Sequence, residues 1–150
     1  MKNKVFCLIS VILLAISSLC VINSCRERDD TVNCFPNSLV SVTLNLSLST
    51  YFNLQNIGGW IYVDEQSPGT NGLIVVRTTN GFMVYDRNAP HLCPESSTIL
   101  EVQEDIRLYC PKDGAEWILL TGQPIRGTAL APKMYPYNYE PSTNTLTIYN

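Results

Sequence analysis

The 150-residue chain has a single histidine, His91, and six cysteines, and these set the limits of its chemistry. One imidazole excludes any single-chain site that needs two histidine ligands. A Ser-His-Asp arrangement around it would need a second supporting clue. The side chains that could do chemistry gather in two short stretches. The first is Asp86-Arg87-Asn88-Ala89-Pro90-His91-Leu92-Cys93-Pro94. The second is Cys110-Pro111-Lys112-Asp113-Gly114-Ala115-Glu116-Trp117. A third stretch, 122–132, is rich in Gly and Pro and carries Arg126. Taken alone, a histidine beside proline reads as a turn residue that bonds its loop or solvent. Asp113-Gly114 reads as a turn that reverses the chain. Other templates are absent: there is no glycine-rich phosphate loop, no paired-cysteine zinc ribbon and no nucleophile elbow. The adjacent acids Asp64-Glu65 and Glu104-Asp105 diverge in a strand or turn and read as solvated.

These loops need rigid elements to hold them, and the elements are strands. Residues 39–49 alternate apolar and polar, with Val42, Leu44, Leu46 and Leu48 on one side, which is the period of a half-buried strand. Residues 60–63 form a short apolar run. The runs 73–76 and 82–85 flank Thr78-Thr79-Asn80-Gly81, and Asn-Gly between apolar runs predicts a tight hairpin. Further runs lie at 98–102, 106–110, 116–120 and 145–149. Tyr135-Pro136-Tyr137-Asn138-Tyr139 is broken by proline and predicts an edge strand or a packed loop. No window after the N-terminus has a helical period. The expected fold is all-β, a sandwich or barrel of short strands.

The N-terminus reads as an address. Lys2 and Lys4 precede an uncharged apolar run at 5–21, the pattern of a secretory signal. Ile22-Asn23-Ser24-Cys25 follows and resembles a bacterial lipobox. That resemblance implies cleavage before Cys25 and lipidation of its thiol. The competing reading is an uncleaved span, since 5–23 is just long enough to cross a bilayer. The expected organisation is a lipoprotein signal peptide at 1–24, a charged tether at 25–38 and a β domain at 39–150. Net charge is −3, falling to −5 once Lys2 and Lys4 leave, so the chain has no electrostatic footprint for nucleic acid. Cys7 and Cys20 leave with the signal, and the rest meet an oxidising compartment.

The order of the loops resembles the Rieske family. That family places Cys-x-His in a first loop after a strand, then a hairpin, then Cys-Pro-x-His-Gly and an aromatic residue. A Gly-Pro-Ala-x-x-Pro loop leading to a tyrosine comes last. Here Ala89-Pro90-His91 stands for the first motif. Cys110-Pro111-Lys112-Asp113-Gly114 stands for the second, with Trp117 as the aromatic residue. Gly127-Thr128-Ala129-Leu130-Ala131-Pro132 and Tyr135 stand for the third. The resemblance covers about residues 40–150. It implies a Rieske-like β-sandwich with two ligand-type loops.

The resemblance also implies a cofactor that this chain is poorly equipped to hold. A Rieske [2Fe–2S] centre takes two thiolates on one iron and two imidazoles on the other. Ala89 replaces one cysteine and Asp113 replaces one histidine, so only His91 and Cys110 retain cofactor-binding positions. The expectation is therefore no cofactor, with a [2Fe–2S] cluster as the alternative. His91, Cys93, Cys110 and Asp113 could regroup as a mononuclear metal set, suited to zinc by ligand type. A disulfide between Cys93 and Cys110 is the expected staple of the two loops, as joins them in respiratory Rieske proteins, and Cys34 has no partner by sequence. The functional expectation is a lipid-anchored bacterial envelope protein with a degenerate cluster site. It would be a non-catalytic binding or accessory module, or, if redox-active, an iron–sulfur electron carrier or oxidoreductase subunit, with Cys25 as its membrane anchor and an envelope complex as its partner. The alternatives are a Rieske-type electron-transfer protein and a mononuclear metal-binding protein.

Overall fold

A computed structural model of the protein describes residues 31–65 and 68–150. The apolar run at 5–21, Cys25 and the charged stretch at 26–30 lie outside them. Among the described residues ten strands form three antiparallel sheets. The first sheet has the order β1 (Ser41–Asn45), β10 (Thr145–Tyr149), β9 (Tyr137–Glu140). The second is β2 (Trp60–Val63), β3 (Leu73–Thr78), β4 (Gly81–Asp86). The third is β5 (Glu101–Gln103), β6 (Arg107–Tyr109), β7 (Glu116–Ile118), β8 (Pro124–Arg126).

The alternation at 39–49 becomes β1, whose Val42 and Leu44 are buried while Ser41, Thr43 and Asn45 face solvent. β3 is different: Leu73, Ile74, Val75 and Val76 are all 0% exposed. Leu73 and Val75 join one core, with Val42, Leu44, Leu146 and Ile148 of the first sheet. Ile74 and Val76 join a second core, with Leu108 and Trp117 of the third sheet and Leu119 just past it. Successive side chains of a strand point to opposite faces. The second sheet is therefore the middle of three layers, and the expected sandwich gains a third sheet.

The Asn80-Gly81 hairpin forms as expected, with Thr78 paired to Gly81. Gly81 has φ +140°, and a Cβ there would lie 2.2 Å from the Tyr137 hydroxyl. That hydroxyl accepts from the Phe82 amide at 3.0 Å, tying the turn to β9. β9 is an edge strand, one of the two outcomes expected of the tyrosine-proline cluster. Three features depart from the expected pattern. Ser49–Gln55 is a 3-10 helix that continues from the β1 alternation. The run at 98–102 splits into a 3-10 turn, Ser96–Thr98, and β5. Pro124–Arg126, which reads as loop, pairs with β7 as β8, where a register shift at Glu116/Trp117 accommodates the proline. Among the described residues no helix is long and apolar enough to cross a membrane.

The two cores share only the middle sheet, so damage to one should not change the cost of damage to the other. We expect Leu108→Ala and Leu146→Ala each to lose about 2–5 kcal/mol. The double variant should lose their sum to within about 0.5 kcal/mol. Denaturant unfolding of the four proteins measures this; a large coupling would mean the layers act as one core.

Candidate functional site

β4 ends at Asp86 and feeds the first loop, and the buried base of that loop is polar. The Asp86 carboxylate is 0% exposed. Its Oδ2 accepts from the Thr70 amide and hydroxyl, both at 2.9 Å, and from the Tyr135 hydroxyl at 2.7 Å. Its Oδ1 accepts from the Asn88 amide at 2.9 Å. Burial pushes the carboxyl up, and the bonds from Tyr135, Thr70 and Asn88 pull against that. Asn88, also buried, spans the loop: its Oδ1 accepts from Thr98 at 2.7 Å and its amide donates to the Ala89 carbonyl at 3.0 Å. This polar base fixes the path of the backbone up to His91.

The second loop lies between β6 and β7 and closes on itself. The Gly114 amide donates to the Cys110 carbonyl and the Cys110 amide to the Ala115 carbonyl, both at 2.9 Å. Gly114 has φ +73°, which suits the Asp113-Gly114 turn expected there. The loops meet through two contacts. His91 Nε2 lies 2.6 Å from Asp113 Oδ2, with only 15% of the histidine side chain exposed. Lys112 pairs with Glu95. The His91 ring also tilts against Trp117, centroids 5.8 Å apart, and Trp117 Nε1 donates to the Leu130 carbonyl at 2.7 Å. That bond ties the third loop beneath the first two.

Partial burial works to raise the Asp113 carboxyl, but bonds from His91, the Ala115 amide and Cys110 outweigh it, so it sits below its ordinary value. An ionised Asp113 requires Nε2 to carry the shared proton. His91 Nδ1 is then buried with no hydrogen-bond partner. The Cys110 thiol is fully buried and free. Burial, and then the Asp113 carboxylate, push it up, against the amides of Lys112 and Asp113. A thiol raised further above its ordinary alkaline value is not a ready nucleophile.

Several expectations fail here. Cys93 pairs with Cys34, at a sulfur separation of 1.99 Å, not with Cys110. Sequence reasoning ties Cys93 to Cys110 because both belong to the paired loops. The fold instead aims the buried Cys110 into the second core and leaves Cys93 exposed, where the N-terminal segment passes. Nothing in the sequence singles out this pairing, since any bridge among Cys34, Cys93 and Cys110 leaves one thiol over. The disulfide also removes Cys93 from the set His91, Cys93, Cys110 and Asp113. Among the described residues no three His, Cys, Asp or Glu side chains group as a metal ion requires. Residues 32–35 of the expected tether are docked: Val32 donates to the Pro90 carbonyl at 3.1 Å, and Lys133 lies 5.3 Å from the Phe35 ring. Ala89 is 0% exposed, packed in the same apolar cluster as Cys110 and Trp117. The two retained positions thus offer one nitrogen and one sulfur where a Rieske-type [2Fe–2S] centre takes two of each, and this donor set does not fit that cluster. Asp86 and Asn88 are the site residues that sequence reasoning missed.

No protein-family model matches the chain, and no curated protein does. Among solved structures it is similar to a chain of a complex of reduced oxygenase and oxidized ferredoxin in carbazole 1,9a-dioxygenase. Identity is 13%, over 76% of this chain and 94% of that one, with a TM-score of 0.43. It is also similar to a chain described as the small subunit of an NADH-dependent nitrite reductase from Mycobacterium tuberculosis. Identity is again 13%, over 75% of this chain and 96% of that one, with a TM-score of 0.43.

The disulfide joins residues 59 apart. Closing a loop of that length stabilises by about 4 kcal/mol in the chain-entropy model, so Cys34→Ser should lose about that much. A non-reducing peptide map should link Cys34 to Cys93 and leave Cys110 open to alkylation only after unfolding; a Cys93–Cys110 peptide would overturn the assignment. Asp113 has its own signature. A carboxylate held below its unfolded value contributes stability above about pH 4 that is lost as pH falls through the lowered value. Asp113→Asn should therefore flatten the acid limb of the stability curve, measured by denaturant midpoints across pH.

Proposed function

We propose that the protein is a lipid-anchored module of a bacterial envelope, built on a Rieske-like pair of loops and acting by binding a partner. Electron transfer is not its role on this reading. The observation that carries it is the 2.6 Å contact between His91 and Asp113. The one imidazole that a Rieske-type centre would use is held by the residue standing at the other histidine position. The two loops are thereby closed on each other by side chains alone. The buried methyl of Ala89 fills the place where a further thiolate would be needed. Cys25 as anchor rests on the sequence order of charged head, apolar run and cysteine. The Cys34–Cys93 disulfide supports export to an oxidising compartment. An envelope protein complex is the partner class that follows from an anchored module without a reaction centre.

One observation favours a second reading, a mononuclear metal site. His91 Nδ1 is buried and unpartnered while its other nitrogen is oriented by a carboxylate, the arrangement common for histidines that bind metals.

One experiment separates these readings. The full chain, purified anaerobically from cells supplied with iron and zinc, is analysed for metal and by visible absorption and EPR after reduction. Little metal and no cluster spectrum are expected. A stoichiometric pair of irons with a reduced-state EPR signal would sink the binding-module reading. One zinc per chain, lost in Cys110→Ser and His91→Ala, would establish the second.

A further inference from the structure

We propose that a groove at the other end of the domain binds a carboxylate-bearing ligand through Arg77. The first loop leaves the Asp86 end of β4, whereas Arg77 lies one residue from the Thr78–Gly81 pair that closes the β3–β4 hairpin at its far end. The groove is therefore separate from the His91–Asp113 site. It measures about 210 Å³ and is lined by Leu46, Leu54, Gln55, Arg77, Tyr139 and Asn144.

Four arginines lie among the described residues, and three are spent on carboxylates. Arg87 bonds both oxygens of Asp64, at 2.9 and 3.0 Å. Arg107 pairs with Glu104 and Glu116, and Arg126 with Glu116. The Arg77 guanidinium makes no ion pair and no hydrogen bond among the described residues. It is nevertheless held in place. Its carbon lies 4.6 Å from the Phe82 centroid and 5.7 Å from that of Tyr139. Its backbone is clamped by the Gly59 carbonyl at 2.8 Å and the Gly58 amide at 2.9 Å. Gly59 makes that clamp possible, since a Cβ there would lie 1.8 Å from the Asn53 carbonyl oxygen.

A guanidinium stacked on rings keeps the donors on its edge free, and their fork matches a carboxylate. The neighbouring polar groups are neutral. The Tyr139 hydroxyl is spent on Asn144 Oδ1 at 2.9 Å, while the Gln55 amide makes no bond among the described residues. A single fixed cation suits a monoanion better than a phosphate dianion, which takes several donors or cations. Leu46 and Leu54, both buried, offer an apolar floor for a short stem. The volume is below that of typical cofactor pockets, so the ligand is a small acid or the carboxylate end of a chain.

The test uses the full chain in detergent micelles with nitrogen-labelled arginine, following the Arg77 Nε–H signal. The probes are propionate, a blocked Gly-Leu peptide with a free carboxylate, and the same peptide as its C-terminal amide. We expect saturable shifts with millimolar dissociation constants from the first two and none from the amide. A peptide affinity tenfold or more above that of propionate assigns the ligand to a chain end; equal affinities assign it to a small acid. Arg77→Lys, which keeps the charge but not the fork, should weaken binding about tenfold while the thermal melt is kept. Gln55→Ala should leave the fold intact and weaken binding less. Equal shifts from the amide, no saturation by either carboxylate, or full affinity in Arg77→Lys would overturn the proposal.

Discussion

Four residues in a row on β3 are closed to water on both faces, and the rest of the architecture answers to that. A strand with one buried face needs one covering layer, but Leu73 to Val76 need two. The first sheet supplies Leu146 and Ile148 on one side, and the third sheet supplies Leu108 and Trp117 on the other. Leu73 to Val76 meanwhile pair in register with β2 on one side and β4 on the other. Both candidate sites hang on this strand pair. One end of the hairpin carries Arg77, and the other delivers Asp86 and the first loop.

The first-loop site is organised by a buried carboxyl group and capped by a partly exposed histidine–aspartate pair. Asp86 collects four donors from three different segments, so removing its carboxylate would strand buried partners in a place water does not reach. Above it, His91 and Asp113 join the loops at the surface, where solvent screens the contact. The lower network fixes position and the upper one decides whether the two loops stay together. Such a pair needs nothing bound between the loops to hold its shape.

Much of the fold is legible in the sequence because strands declare themselves locally. The alternation around Val42 and Leu44, the Asn80-Gly81 hairpin and the proline-broken tyrosines each have a short-range signal, and each appears as expected. What is not legible depends on chain path. The run from Leu73 to Val76 does not say whether one sheet or two will cover it. Pro124 hides β8, since proline argues against a strand until a register shift makes room for it. The two loops do come together at His91 and Asp113, as their order suggests. The disulfide does not follow from loop order, because it is set by where residues 31–38 run. Asp86 ends an apolar strand and so reads as a turn residue; only burial reveals it as a hub.

The Cys34–Cys93 bond also changes how the molecule would carry mechanical load. A pull on the N-terminal segment passes from Cys34 straight into Cys93, so the chain between them, with β1 to β4, is bypassed while the bond is intact. Tension arriving from the N-terminal side is then delivered to the first loop two residues from His91. The strands beyond Cys93 take the load next, and the first cross-loop contact on that path is the one between Glu95 and Lys112. Reducing the disulfide would reroute the same force into β1, which is held to β10 along all five of its residues. The covalent link therefore decides which part of the domain yields first.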